Sequence, residues 1–318
     1  MSLHPAFSSQ VSASAKVFLS TFAGLAMDTL PFLLIGSFLA AVIAAFVPDR
    51  ALRSLFPRNP WLSILAALGL GLFLPVCDCA TVPLARRLRE KGVRLSAAAA
   101  FLLAAPIVNP LSIASTIVAF AGAPFPVFAF RLGAGLAAAF AVAAAIELAS
   151  RRTDDFGAVA SALGAGPIDG GAPATRSPSI AERVLGALHL AADDFLDSSR
   201  YLVAGLVLAS LARCLLPAGI LAKSLDGSAG AFASGAISAY ALSLCSSADA
   251  FVARSLFAPD SYLAALAFMV VGPMIDLKNT ILLSRFVRPS RLAAFVVLVM
   301  AAAAFACSAA AALWGMGA

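Results

Sequence analysis

Charged side chains are scarce in this 318-residue sequence: Asp, Glu, Lys and Arg make up 12% of it, against 62% hydrophobic residues. Soluble globular domains carry about 25% charged residues. With a mean hydropathy of +0.97, a soluble domain is excluded, and most of the chain turns to lipid. Histidine is scarcer still. His4 and His189 are the two in the chain, too few for the histidine clusters of zinc enzymes. No G-x-x-x-x-G-K-[ST] run occurs, so no P-loop ATPase is encoded here. The first 16 residues lack a basic n-region followed by a small-residue cleavage site, and no removable signal peptide is expected. Nucleic-acid motifs are missing too. The net charge of +6 therefore reads as Lys and Arg retained on the cytoplasmic side of a membrane.

Five cysteines, an odd number without framework spacing, exclude a disulfide scaffold. Cys214 and Cys307 lie in plain apolar stretches and read as small packing residues. Cys77, Cys79 and Cys245 do not. They fall in two segments that resemble each other, Leu74-Pro75-Val76-Cys77-Asp78-Cys79-Ala80-Thr81-Val82-Pro83 and Leu242-Ser243-Leu244-Cys245-Ser246-Ser247-Ala248-Asp249-Ala250-Phe251. The correspondence extends well beyond them. Asp28, Gly36 and Pro48 recur 169 residues later as Asp197, Gly205 and Pro217. Cys77, Ala80 and Arg86 recur at 168 as Cys245, Ala248 and Arg254, and Phe101, Pro106 and Asn109 at 167 as Phe268, Pro273 and Asp276. Two one-residue slips are what loop deletions in a duplicated sequence produce.

The expected organisation is a first membrane repeat over 1–150, a linker over 151–179 and a second repeat over 180–318. The linker is charged and then rich in Gly, Pro, Ala and Ser, a flexible composition. Residues 180–197 alternate Ile180, Val184, Leu185 and Leu188 with Glu182, Arg183, Asp193 and Asp194, which predicts an interfacial helix leading into the next span. Val11 to Met27 is its weaker counterpart.

Each half holds four apolar blocks, at 29–47, 61–85, 95–121 and 125–149, then 198–217, 230–254, 261–285 and 292–316. One arrangement is eight full spans with parallel halves. It splits the Lys and Arg residues poorly, twelve to eight across the membrane. The other makes the second block of each half a re-entrant hairpin with its tip at the cysteine motif. Sixteen of the 22 basic residues, in loops 48–60, 86–94, 150–200 and 285–291, then share one side. That satisfies the positive-inside rule better. It also leaves three spans plus a hairpin per half, so the halves are inverted about the membrane plane, a recurrent transporter plan. Pro75 and Pro83 bracket the first tip and interrupt its helix. The expected fold class is thus an all-α polytopic membrane protein of two repeats, inverted in the favoured arrangement.

Ionisable groups inside a membrane are costly and mark function. Cys77 and Cys79 on one turn, with Cys245 from the other half, form a candidate metal or metalloid ligand set, since thiolates suit soft ions. Two small residues packing at a helix break explain the first pair equally well. Ser246, Ser247 and Asp249 flank Cys245, and Asp249 reads as a proton or cation site. The third block of each half is also broken, at Pro106 to Pro110 around Asn109, and at Gly272 to Asn279 around Asp276 and Lys278. Half-helix ends at such breaks present backbone groups to a substrate. Asp276 and Lys278 form either a self-neutralising pair or a proton-coupled switch. The candidate substrate-binding residues are therefore Cys77, Asp78, Cys79, Asn109, Cys245, Ser246, Ser247, Asp249, Asp276 and Lys278. No enzyme activity and no cofactor are expected.

At Pro75-Val76-Cys77-Asp78-Cys79 with Val82-Pro83, at the basic run Arg86 to Lys91, and at Phe101-Leu102-Leu103-Ala104-Ala105-Pro106 with Asn109-Pro110, the chain resembles a known family. It is the predicted permease family that includes the ArsP-type organoarsenical exporters. Leu242 to Phe251 and Gly272-Pro273-Met274-Ile275-Asp276-Leu277-Lys278 carry the likeness through the second half. The resemblance implies a multi-pass permease of the bacterial inner membrane that exports trivalent arsenicals or related soft metal ions. Two positions depart from the family pattern. Its first motif commonly reads Cys-Ser-Cys-Gly, where this chain has Asp78 and Ala80, and the second commonly carries Glu where Ser247 stands. An added acid favours a divalent cation over a neutral arsenical.

The expected function is export of a thiophilic substrate, an arsenical or a soft divalent metal ion, coupled to protons. A membrane thiol–disulfide redox protein and a passive channel are the alternatives. The expected partners are a small-molecule or ion substrate and the lipid bilayer. Gly133 and Gly135 allow close helix contact, which leaves a homo-oligomer open.

Overall fold

A computed structural model describes residues 4–47, 55–73, 76, 78–123, 126–150, 180–215, 227–257, 261–284 and 287–314. The expectations for Cys77, Pro75 and the 151–179 linker lie outside them. The described residues form helices and no strands: α1 (His4–Phe46), α2 (Pro60–Phe73), α3 (Asp78–Glu90), α4 (Leu95–Val108), α5 (Pro110–Ala119) and α6 (Val127–Ser150) precede the linker. Then follow α7 (Ile180–Leu215), α8 (Ser228–Leu242), α9 (Asp249–Leu256), α10 (Tyr262–Met274), α11 (Leu277–Ser284) and α12 (Pro289–Trp314).

Five stretches are long and apolar enough to cross a membrane: 16–46, 95–119, 127–150, 262–284 and 289–313, with a shorter apolar helix over 60–72. The all-helical, polytopic architecture expected from the composition is present. At the start of each half it is more continuous than expected. The amphipathic segment 180–197 is not a separate interfacial helix but the first half of α7, and 11–27 belongs to the unbroken α1. In α7 helix propensity runs uninterrupted through the junction, because neither Gly nor Pro stands between its amphipathic and apolar parts, while α1 stays continuous through Pro31.

Two helices make the centre. Every residue of α4 is buried, and so is every residue of α10 after Tyr262. Around α4 pack α2, α3 and α6; around α10 pack α8, α9 and α12; and α4 and α10 touch each other. The outer helices carry the lipid-compatible surface, with Met27, Val297, Phe305 and Leu313 exposed.

Small residues set these distances. A Cβ on Gly71 of α2 would stand 2.5 Å from the Ala105 Cα of α4, and one on Gly235 of α8 would stand 2.2 Å from the Ala264 carbonyl oxygen of α10. Gly36 of α1 meets Ala80 of α3 in the same way, and Gly205 of α7 meets the Lys278 backbone of α11. Close backbone approach gives membrane helices their van der Waals contact, because lipid offers no hydrophobic drive between them. Gly135 packs on Ile107 within the chain, whereas Gly133 faces open space.

Polar contacts fix which helix ends share a side. The Arg94 guanidinium, between α3 and α4, donates to the Arg58 carbonyl before α2 at 3.1 Å and to Glu147 near the end of α6 at 3.2 Å. Lys91 donates to the Val47 carbonyl beyond α1. Arg87 bonds Asp194 of α7 at 2.5 Å and Glu90 at 2.6 Å. One end of the bundle therefore gathers the end of α1, the beginning of α2, the end of α3, the start of α4, the end of α6 and the Asp194 level of α7. A cavity of about 350 Å³ lies at this basic end, lined by Arg58, Ser63, Lys91 and Arg94 among others. In the second half Arg254, near the end of α9, lies over the Phe120 ring beyond α5, 5.8 Å from its centroid.

Candidate substrate site at the helix breaks

Among the described residues three interruptions meet in the interior, at Asn109 between α4 and α5, 243–248 between α8 and α9, and 275–276 between α10 and α11, and the start of α3 at Asp78 joins them. Each is held open by its own sequence. Pro110 lacks the amide that would continue α4 and instead opens α5, which the Asn109 side chain caps by accepting from the Leu111 amide at 3.0 Å. Pro273 weakens the end of α10 likewise. Asp276 then caps α11 by accepting from the Asn279 amide at 2.7 Å. Ser243 ends α8 in the left-handed region at φ 48°, and its hydroxyl accepts from the Leu277 amide at 3.2 Å.

The breaks are joined across the halves. Asn279 of α11 donates its side-chain amide to Asp78 Oδ2 of α3 at 3.2 Å. Ser112 of α5 donates its hydroxyl to the Ser246 carbonyl at 3.0 Å. Packing follows the same pattern, α11 against α3 and α5 against α9. Asn109 also reaches back within its own half, donating to the Val76 carbonyl at 3.1 Å.

Two buried charge clusters result. In the first, the Lys278 ammonium lies 2.8 Å from Asp78 Oδ2 and 2.8 Å from Asp276 Oδ2. Both are ion pairs. The same ammonium donates to the Ser243 and Leu244 carbonyls at 3.2 and 3.1 Å. Lys278 and Asp276 are 0% exposed and Asp78 is 1% exposed, so this network is dry and its electrostatics are strong. In the second, Arg131 of α6 pairs with Asp249 Oδ2 at 2.7 Å, and it donates to Thr116 Oγ1 at 2.6 Å and the Ser246 carbonyl at 3.3 Å.

The structure brings Asp78, Cys79, Asn109, Cys245, Ser246, Asp249, Asp276 and Lys278 into this interior, all of them buried. Ser247 is half-buried and its hydroxyl lies 3.5 Å from Cys245 Sγ. Cys79 Sγ is 3.9 Å from Asp78 Oδ2. Cys77 lies outside the described residues, and among those described no group of three or more His, Cys, Asp and Glu stands close enough to hold a metal ion.

Asp276 and Lys278 are more than a self-neutralising pair, because Lys278 is shared with Asp78 of the other half. Asp249 is likewise no isolated acid. Its partner Arg131 is 2% exposed and lies within α6. The signal was available: Arg131 lies four residues inside the Val127–Ser150 span, and an arginine at such depth asks for a carboxylate. Asn279 and Ser112 carried no comparable mark, since amides and hydroxyls are ordinary in helix first turns.

Comparison with known proteins places these residues in context. A family model described as a predicted permease, ArsP_1, matches residues 14–312. The UPF0718 protein YcgR of Bacillus subtilis is 30% identical over 266 residues, covering 83% of this chain and 86% of that protein. A protein of Streptococcus mutans named a putative two-component membrane permease complex subunit is 28% identical over 285 residues, 87% of this chain and 89% of its own length. No solved structure matches.

Proposed function

Given that the chain belongs to the ArsP_1 family of predicted permeases, we propose that it exports a thiophilic substrate across the bacterial inner membrane in exchange for protons. The substrate is a trivalent arsenical or a soft divalent metal ion. As a permease it is a transporter and not an enzyme. The observation that carries the reading is the junction of the two halves. Asp78 at one break is bound by Lys278 and Asn279 from another, so the ionisable groups of both halves face one point. Transporters place substrate and coupling-ion sites where discontinuous helices of two repeats meet. Cys77, Cys79 and Cys245 supply soft ligands there. Asp78, Asp249, Asp276 and Lys278 supply the charges, and Asn109, Ser246 and Ser247 complete the polar lining.

The two halves act as inverted repeats over 1–150 and 180–318, and α2–α3 and α8–α9 are re-entrant. Support comes from the shared end of α2 and α3 set by Arg94 and Arg58, and from Arg254 against Phe120 for α9. Leu55→Cys and Arg94→Cys are expected to label from one side of the membrane, and Ser228→Cys and Ser255→Cys from the other. Labelling of the first two from opposite sides would sink the re-entrant arrangement.

Everted membrane vesicles test the transport itself. Uptake of trivalent methylarsenical or Zn²⁺ should fall about tenfold or more in Cys77→Ser, collapse with an uncoupler, and persist in Cys307→Ser. Uptake indifferent to Cys77, or lost equally in both variants, would overturn the thiol-dependent reading.

A further inference from the structure

Four oxygens surround the Lys278 ammonium: Asp78 Oδ2 and Asp276 Oδ2 at 2.8 Å, and the carbonyls of Leu244 and Ser243 at 3.1 and 3.2 Å. They come from three separate helix breaks. Carboxylates and backbone carbonyls converging from different segments are the donor set that proteins build for metal cations. The ammonium does not suit its own helix. Lys278 lies in the first turn of α11, where the helix dipole favours negative charge. Its position is explained by the oxygens around it.

The charges do not balance. The two carboxylates at the cage face one ammonium, while Arg131 already matches Asp249 in the neighbouring cluster. Oxygen donors remain beside the cage: Asp78 Oδ1 and Asn279 Oδ1, in side chains 1% and 4% exposed, have no hydrogen-bond partner among the described residues. A divalent cation in place of the ammonium would neutralise both carboxylates and have these two oxygens within the same pocket of side chains. Cys79 Sγ stands 3.9 Å from Asp78 Oδ2, so one sulfur neighbours the oxygens. That mixture suits an ion of borderline softness.

We propose that the oxygen cage around Lys278 is a cation site that the chain fills with its own tethered ammonium, and that a borderline divalent cation displaces Lys278 to bind there. The inference rests on the permease reading and narrows its cargo from thiophilic compounds in general to a cation. A neutral arsenical has no charge with which to compete for the cage. The flexible four-carbon stem of lysine lets the ammonium withdraw without moving α11. Lys278 thereby offsets one of the two carboxylate charges whenever cargo is elsewhere.

The test is the Zn²⁺ affinity of the purified full chain in detergent, measured by competition with a chelator. Lys278→Met removes the internal competitor and is expected to bind Zn²⁺ at least about tenfold more tightly than the wild type. Asp78→Asn/Lys278→Met should lose that gain. Equal affinities, or a gain that survives the loss of Asp78, would overturn the proposal. A Lys278→Met chain that folds only when Zn²⁺ is supplied supports it. One that Zn²⁺ cannot rescue, while Asp276→Asn/Lys278→Met folds and binds no more Zn²⁺ than wild type, overturns it. Binding in detergent judges the cage and flux in vesicles judges the permease reading, so either can fail alone.

Discussion

Arg131→Ala is expected to destabilise the protein by about 3–5 kcal/mol, the cost of leaving one member of a buried ion pair without its partner. Asp249 would then keep a carboxylate, 2% exposed, with neither water nor cation to balance it. Arg131 also donates to Thr116 and to the Ser246 carbonyl, so the same change frees α5 and the 243–248 break from α6. The double variant Arg131→Met/Asp249→Leu should recover most of the loss, because apolar replacement of a whole buried pair is often neutral or stabilising. Thermal unfolding in detergent checks both. A single variant that melts with the wild type would mean that the pair does not hold α6 to α9. Transport by the double variant carries separate information: a stable chain without flux would assign Asp249 to the transport cycle as well as to the scaffold.

Asp78→Asn is expected to lower transport about 100-fold while leaving a folded chain. The amide keeps the shape of the carboxyl and can still accept from Asn279 at 3.2 Å, while the 2.8 Å ion pair with Lys278 becomes a charge–dipole contact. What disappears is charge. Of the two acids that face the Lys278 ammonium, Asp78 alone comes from the first half, so that, like the Arg131–Asp249 pair, it links the two halves electrostatically. Vesicle flux together with thermal unfolding separates the outcomes. Flux and stability lost in proportion would mark Asp78 as structural, and unchanged flux would remove it from the site.

Much of the site was readable along the chain because membrane burial makes polar residues conspicuous. Asp78, Asp249, Asp276 and Lys278 each interrupt an apolar block, and all four prove to be buried. Pro106, Asn109, Pro110 and Pro273 marked the breaks through elementary backbone chemistry, a missing amide or a side chain that outcompetes the helix. Less visible were groups whose role depends on a partner. Ser112 and Asn279 are unremarkable until the other half supplies Ser246 and Asp78. Arg131 is conspicuous by depth, yet nothing local selects Asp249 as its partner 118 residues away.

The composition alone settles that this chain is a polytopic helical membrane protein, since 62% hydrophobic residues with 12% charge cannot be dissolved in water as a folded domain. The positions of the helix breaks follow from local chemistry in the same way. Pairing does not. Whether Asp276 neutralises Lys278 alone or shares it with Asp78, and whether Asp249 stands by itself or against Arg131, depends on how α3, α6, α9 and α11 are brought together by glycine contacts and by the burial of α4 and α10. A buried charge is satisfied by whichever opposite charge lies within about 3–4 Å, and that distance is a property of the packed bundle that no spacing along the chain contains.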